Sequence, residues 1–494
     1  MKSRKHPFKT QEISFASGKP ETIIIGGPDQ FHLIKEGFPA NVLQIAVIGW
    51  GSQGPAHAQN IRATLEAANC DTKVVVGLRE NSQSIPKAEA AGFTREDGTR
   101  GVLYKVISES DFVIIHMSDG AQVKNHEAIF AAMKPGATLG FSHGFLEGYL
   151  TANEISFPEN INVVMVAPKG MGPSVRGLYT KGSGINCSYA VHQDVDGHAK
   201  SIALAWAIAI GSPVTFKTTM PKEWRSDIFG ERAILLGGTW ALVESGYRRL
   251  IVQGSSEEDA FINSVEAVTG FISPEISSLG LQGFFQKYFE NCRYEADFDV
   301  AYEMFYDPFL TVMEEIYESV TSGDEITEVV ARAARLDSEP MSDIESQPMW
   351  QVGKKVRGDR DAHTFEINEN TAFIAGALVA GIMAQLEFLL EKGHCVSEVI
   401  NESLIELTDS LVPFMHSRGV ANMVDNCSIT ARLGTRKWGP RFMKVLDAAI
   451  LTESESRKSI SKNPRHWLNS TLHADITTCG MLKPEHAIAL DAVV

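Results

Sequence analysis

Cysteine is scarce in this chain and never paired at short range. The six residues Cys70, Cys187, Cys292, Cys395, Cys427 and Cys479 are scattered through 494 positions with no C-x-x-C among them. That argues against a disulfide framework or a structural zinc site, so reduced thiols and an intracellular compartment are expected. Basic charge is also in short supply. Forty-five Lys and Arg face 61 Asp and Glu, for a net charge of -16. A nucleic-acid surface would show as a basic stripe, so no nucleic-acid partner is expected. The acidic balance suits a cytosolic enzyme or one that binds divalent cations. No long apolar run is present either. The longest, Thr371 to Ala384, is shorter than the ~20 residues that span a bilayer and reads as a buried core helix. No membrane partner is expected. Met1 to Pro20 holds lysines and Glu12 but no apolar stretch, which makes a poor secretory signal and a poor transit peptide, and leaves open a mature form whose transit peptide has been removed.

What the chain does have is material for a large core: 44% of its residues are hydrophobic and 21% charged, over a length that accommodates two or three domains. The first forty residues read as irregular. Short apolar runs follow at Leu43–Ile48, Lys73–Leu78, Asp111–Met117, Thr138–Ser142, Ile161–Val166 and Ser188–Val191. Runs apolar at nearly every position suit strands buried on both faces, and their alternation with helical segments predicts a doubly wound parallel sheet, an α/β fold ending near Thr218. Beyond it the spacing predicts helices over 223–249, 257–272, 325–336, 371–390 and 396–411. A polar stretch, 337–370, divides this helical half. Gly237 and Gly254 recur as Gly376 and Gly393, shifted by 139 residues, which suggests a duplication. The expected domains are 1–218 and 219–494, the latter in two related parts, 219–355 and 356–494.

Gly49-Trp50-Gly51-Ser52-Gln53-Gly54 is a G-x-G-x-x-G directly after a strand and before a helix. The glycines permit the tight turn, the approach of backbone to a pyrophosphate, and close packing of helix on strand. An NAD site would place an acid at the end of the second strand, to hold the ribose 2′-OH. Arg79 stands there instead, followed by Ser82 and Ser84. A guanidinium with two hydroxyls suits a 2′-phosphate, so NADP is preferred, with Glu80 as a neighbouring charge of the wrong sign. Two acidic pairs have spacing of four: Asp227 with Glu231, and Glu402 with Glu406. On a helix each pair shares one face and could offer oxygen ligands to Mg²⁺. Acidic pairs at this spacing usually mark a solvated helix face. Here apolar neighbours such as Ile228, Phe229, Leu404 and Ile405 make repulsion between like charges costly without a cation.

Taken together, several strings make the chain recognisable: 47–55 (VIGWGSQGP), 142–145 (SHGF), 167–173 (APKGMGP), 190–194 (AVHQD), 226–232 (SDIFGER), 401–406 (NESLIE) and 425–428 (DNCS). In order and spacing they resemble ketol-acid reductoisomerase, in its long plant-type form, from about Asn41 onward. The resemblance implies a Rossmann domain followed by an all-α, duplicated and knotted C-terminal domain. It implies conversion of 2-acetolactate or 2-aceto-2-hydroxybutyrate to the 2,3-dihydroxy acid by alkyl migration and NADPH reduction, a step of valine and isoleucine biosynthesis. It further implies two Mg²⁺ ions bound by Asp227, Glu231, Glu402 and Glu406, with Asp227 bridging both. Lys169 would lie beside the metals, and His143 between nicotinamide and substrate. Ser428 would contact the substrate carboxylate, and Leu235 and Leu236 would line the alkyl pocket. Arg79, Ser82 and Ser84 would hold the 2′-phosphate, and Asp119, Gln122 and Gly172 would line the rest of the cofactor groove. The long form implies a homodimer, in the cytoplasm of a bacterium or the plastid of a plant or alga. Two other readings compete: a metal-free NADP-dependent hydroxyacid dehydrogenase, which would not need the paired acids, and a non-catalytic NADPH-binding protein, which would show no turnover.

Overall fold

A computed structural model describes residues 6–360, 366–459 and 465–483. Met1–Lys5, part of the N-terminal stretch considered above, lie outside the described residues, as do parts of the expected domain ranges. The chain divides into two compact units. One is Lys19–Trp224 with the segment ending at Ser14 and the one starting at Leu482; the other is Arg225–Met481 with Phe15–Gly18.

The first unit is built on a ten-stranded sheet. Its strands are β1 (Thr10–Ile13), β2 (Glu21–Ile25), β3 (Gln44–Ile48), β4 (Lys73–Leu78), β5 (Arg100–Val102), β6 (Phe112–Ile115), β7 (Thr138–Phe141), β8 (Asn162–Pro168), β9 (Cys187–Gln193) and β10 (Val214–Lys217), in spatial order β1-β2-β10-β9-β8-β7-β6-β3-β4-β5. The centre is parallel, with β3 between β4 and β6. Ile45, Val47, Val74, Val76 and Ile114 point into one core cluster with the helices α1 (Gly54–Ala67) and α4 (Ala199–Ala209). Ala46, Ile48, Val75, Val113 and Ile115 are buried as well, so these strands are covered on both faces and show no polar alternation. Between α1 and α4 in sequence lie α2 (Asp119–Ala132) and α3 (Gly172–Thr180).

The sheet differs from expectation in direction and extent. It is mixed: β9 runs antiparallel to β8, and β2 antiparallel to both β10 and β1. An apolar run carries no record of strand direction, which is set by the connection and the partner. The supposedly irregular N-terminal stretch supplies β1 and β2. β1 is exposed along three of its four residues, as suits a short edge strand, so it has no hydrophobic signature.

The second unit is helical. Its elements begin in α5 (Met220–Arg232), which leads in from the first unit, and continue with α6 (Gly237–Val252), α7 (Glu257–Phe261), α8 (Ser273–Tyr288), α9 (Glu295–Ser322), α10 (Asp324–Ala333), α11 (Pro348–Gly358), α12 (Glu369–Glu391), α13 (Val396–Ile400), α14 (Val412–Arg418) and α15 (Ile429–Leu451). The single helix expected over 223–249 is broken at 233–236. There Ile234 N–H donates to the buried Gln385 Oε1 at 3.0 Å and Gly238 N–H returns to the Ala233 carbonyl at 2.6 Å. A Cβ on Gly237 would lie 2.0 Å from the Arg232 carbonyl oxygen. The apolar spacing of Ala233–Leu236 continues through the break, so periodicity alone does not reveal it. The polar stretch 337–370 likewise contains a helix, α11.

Two stretches expected as α-helix are π-helical over eleven residues, π1 (Ile262–Ile272) and π2 (Asn401–Leu411). They are separated by the same 139 residues as the repeated glycines. At that shift α7 matches α13, and α8 and α14 begin together, each with proline at its second position, Pro274 and Pro413. Gly254 and Gly393 both take positive φ, 91° and 81°.

The apolar run foreseen as a core helix lies in α12, which is 89% buried over its most apolar window. It packs most extensively on α9. Backbones meet closely at Gly376, where a Cβ would lie 2.2 Å from the Phe298 carbonyl oxygen. Neither backbone can yield locally, so Gly376→Ala is expected to destabilise this unit by about 3 kcal/mol, the upper end for overpacking. Its thermal unfolding midpoint relative to the unmutated chain measures this; an unchanged midpoint contradicts the close approach.

Candidate active site

In the first unit the glycine loop has the geometry its sequence suggests. Gly49 takes φ 101°, and a Cβ there would lie 2.7 Å from the His116 carbonyl oxygen, so only glycine fits. Pro55 falls in the first turn of α1, where its missing N–H costs nothing. The loop is clasped by the segment after β8: Gln53 Nε2 donates to the Gly170 carbonyl at 2.9 Å, and a Cβ on Gly172 would lie 1.8 Å from the Ser52 carbonyl oxygen. Trp50 packs edge-on against Phe93 at 5.7 Å. Beneath the loop, the rings of His57 and His116 meet at 4.3 Å, and Trp206 Nε1 donates to His57 Nδ1. Burial lowers His116 to about 3, so this layer stays neutral beneath the glycine loop.

Arg79 follows β4 and is exposed, with Ser82 and Ser84 half-buried. The segment is a tight turn: Ser82 N–H donates to the Arg79 carbonyl at 3.0 Å, and Ser84 N–H to Ser82 Oγ at 3.3 Å. Glu80 pairs with Arg95 at 3.7 Å on the surface. The charge of the wrong sign is thus balanced by a second arginine, and the loop keeps a basic character. Asp119 sits in the first turn of α2, and the buried Gln122 donates to the Met117 carbonyl at 2.8 Å. Exposed positions Gly51 and Ser52 and buried Gly54 complete the loop.

Next to the sheet is a group centred on a residue that sequence reasoning passed over. Glu223 is 1% exposed. It accepts the Gly144 N–H at 2.9 Å, and its oxygens lie 3.5 Å from His143 Nδ1 and 3.6 Å from Lys169 Nζ. Lys169 is itself buried. Burial alone would raise the Glu223 carboxyl; the Lys169 ammonium and then His143 outweigh it and hold the group below its usual value. One signal could have found it. Glu223, Asp227 and Glu231 recur every four residues along α5, so the face inferred from two acids extends one turn back to a third.

In the second unit, Glu231 accepts from Arg232 Nη1 at 3.0 Å. Glu402 is fully buried and Glu406 partly so, both on π2. The π-helix closes its hydrogen bonds from i to i+5, and residues four apart still face one way. Leu235 and Leu236 are buried in the break after α5. Ser428 is exposed and caps α15, its Oγ accepting the Ala431 N–H at 3.0 Å; its hydroxyl proton remains available to donate. None of the six cysteines forms a disulfide.

These residues suit the groups they are expected to bind. A loop where a Cβ would collide at Gly49 and Gly172 suits a pyrophosphate, and four carboxylates suit a hard divalent cation. The Glu223 ion pair also has a pH consequence. Because its folded-state pKa is lowered, its stabilisation is full above the ordinary glutamate value and is lost as pH falls through the lower folded value. Glu223→Gln is therefore expected to lower stability by about 3 kcal/mol near neutrality, and the gap to the unmutated chain should narrow as the pH drops below ~4. Thermal melts across that range check this; a pH-independent gap would count against the ion pair.

Residues 41–215 match the acetohydroxy acid isomeroreductase NADPH-binding domain, and residues 220–362 and 367–464 match the ketol-acid reductoisomerase C-terminal domain. The chain is 46% identical to the chloroplastic ketol-acid reductoisomerase of Pisum sativum, over 98% of this chain and 84% of that one. It is also 46% identical to that of Spinacia oleracea, over 98% and 82%. Among solved structures, an NADH-preferring ketol-acid reductoisomerase from an uncultured archaeon matches at TM-score 0.58 and 26% identity, covering 68% of this chain and 98% of that one. Two family domains in order, with relatives matched along nearly the whole chain, show that it belongs to the ketol-acid reductoisomerases.

Proposed function

We propose that this chain carries out the family's reaction with NADPH and two Mg²⁺ ions, converting 2-acetolactate or 2-aceto-2-hydroxybutyrate to the 2,3-dihydroxy acid. The observation that carries the reading is α5, where Glu223, Asp227 and Glu231 share one helix face and Glu223 is tied to Lys169 and His143. Asp227, Glu231, Glu402 and Glu406 would hold the ions. When bound, the ions polarise adjacent substrate oxygens for alkyl migration, and the nicotinamide supplies hydride.

The remaining work falls to the chain's own groups. Glu223 fixes the Lys169 ammonium, which stabilises negative charge developing on substrate oxygen. A proton on His143 Nδ1, directed at the Glu223 carboxylate, leaves Nε2 to accept or return a proton. Ser428 donates its hydroxyl proton to the substrate carboxylate while its oxygen caps α15. Leu235 and Leu236 give the migrating alkyl group an apolar wall. Arg79, Ser82 and Ser84 bind the 2′-phosphate, with Gly49, Gly51, Gly54, Asp119, Gln122 and Gly172 along the rest of the cofactor. The working assembly is a homodimer. Its compartment follows its source, the cytoplasm of a bacterium or the plastid of a plant or alga, and the pea and spinach relatives represent the second case.

NADPH oxidation followed at 340 nm with 2-acetolactate tests the reading. Turnover should vanish with EDTA and return with Mg²⁺, and Glu402→Gln should lower it by at least ~100-fold. Turnover that survives chelation points instead to a metal-free hydroxyacid dehydrogenase. A second assay concerns the cofactor. Arg79→Ala should raise KM for NADPH by about tenfold or more while leaving KM for NADH nearly unchanged, and equal effects on both would remove Arg79 from the 2′-phosphate site.

A further inference from the structure

We infer that Arg232, Glu325 and Lys437 form a positioning relay that orients Glu231 for a metal ion and tunes the charge around it. The inference rests on the ligand role proposed above for Glu231.

Glu231 and Arg232 are sequence neighbours, and adjacent residues on a helix do not face one another. Their 3.0 Å contact therefore needs Arg232 to be turned and held, and the structure shows what holds it. The guanidinium is fully buried. Its Nη1 also donates to the Ile228 carbonyl at 3.1 Å, its Nε to Glu325 Oε1 at 2.8 Å, and its Nη2 to the Thr430 carbonyl at 3.3 Å. α15 opens a slot for it at Gly434, where a Cβ would lie 2.5 Å from the guanidinium carbon. Every edge of the group is thus occupied or walled, so the hydrogen bond to Glu231 Oε2 restricts how that carboxylate can rotate.

Charge gives the second half of the argument. A buried arginine beside a metal ligand would by itself repel a divalent cation. Glu325, 1% exposed, supplies the countercharge. Burial alone would raise its carboxyl, but Arg232 and then Lys437 hold it below its usual value. Its second oxygen accepts Lys437 Nζ at 2.8 Å, Trp438 Nε1 at 3.2 Å and Ser319 Oγ at 3.2 Å. Lys437 continues outward to Glu328. Signs alternate from Glu231 through Arg232, Glu325 and Lys437 to Glu328, and no member is left as an isolated buried charge. Outer partners of this kind typically change metal affinity by 10–100-fold when removed.

The test is Mn²⁺ binding to the full chain, read by electron paramagnetic resonance without substrate or NADPH. Glu325→Gln keeps the shape of the side chain while leaving Arg232 uncompensated. It should weaken Mn²⁺ by about tenfold or more, with NADPH affinity unchanged, and Lys437→Met should weaken it by a smaller factor. A merely structural ion pair would leave Mn²⁺ affinity untouched. If Glu325→Gln loses its thermal transition, Lys437→Met decides, since that side chain is one-third exposed. Unchanged affinity in the folded variants overturns the relay. Glu231→Gln separates the two ideas. If it alone weakens Mn²⁺, the relay fails and the ligand role stands; if it too binds normally, both fail.

Discussion

Three carboxylates on one face of α5 set the terms for what surrounds them. Like charges four residues apart on an exposed helix oppose each other by only a few tenths of a kcal/mol. Off solvent the opposition grows, because screening is weaker there. Glu223 is fully buried and Glu231 about one-fifth exposed, so each has to be matched by nearby positive charge. Glu223 is matched by Lys169 and His143, and Glu231 by Arg232. Arg232 in turn is matched by Glu325, and Glu325 by Lys437. Within each unit, then, every one of these buried charges is answered by an opposite one.

A helix break follows immediately, between Arg232 and Gly237. Continuing α5 would carry Ala233–Leu236 onward as helix; instead the chain turns back so tightly that a Cβ on Gly237 would lie 2.0 Å from the Arg232 carbonyl oxygen. Gln385, from the middle of α12, accepts the Ile234 N–H that the break releases. A buried amide placed to satisfy one backbone donor is costly to lose, so the break is fixed as firmly as the helix. Leu235 and Leu236 are presented there on a short, held segment.

How much of this could be read in advance depended on whether the signal was local. The glycine loop, Arg79 with its serines, and strand β4, foreseen at its observed bounds, are all written within a few residues of sequence. Strand direction, the edge strand β1 and the break after Arg232 are decided by partners far along the chain, and no local pattern holds them. Glu223 lies between these cases. Its spacing from Asp227 was visible, but its importance comes from Lys169 and His143, some 54 and 80 positions away. Glu80 is similar, since its sign suggested a conflict and the Arg95 that pairs with it at 3.7 Å comes from later in the chain.

The two π-helices bear on what the acidic pair Glu402 and Glu406 owes to the fold. A π-helical segment is often linked to a functional site, and π2 taken alone would invite the view that the acids imposed it. π1 argues otherwise. At the 139-residue shift its positions carry Asn263 and Ala267 in place of the acids, yet it spans the same eleven residues and leads into a helix with proline at the same place. Asn263 now bonds Asn368 at 2.8 Å, an ordinary polar contact. The wide turn therefore persists where no acidic pair needs it. It is a property of the repeated unit, held by packing around α7 and α13, and the carboxylates occupy a backbone shape that exists without them. Replacing them should change charge far more than it changes the helix.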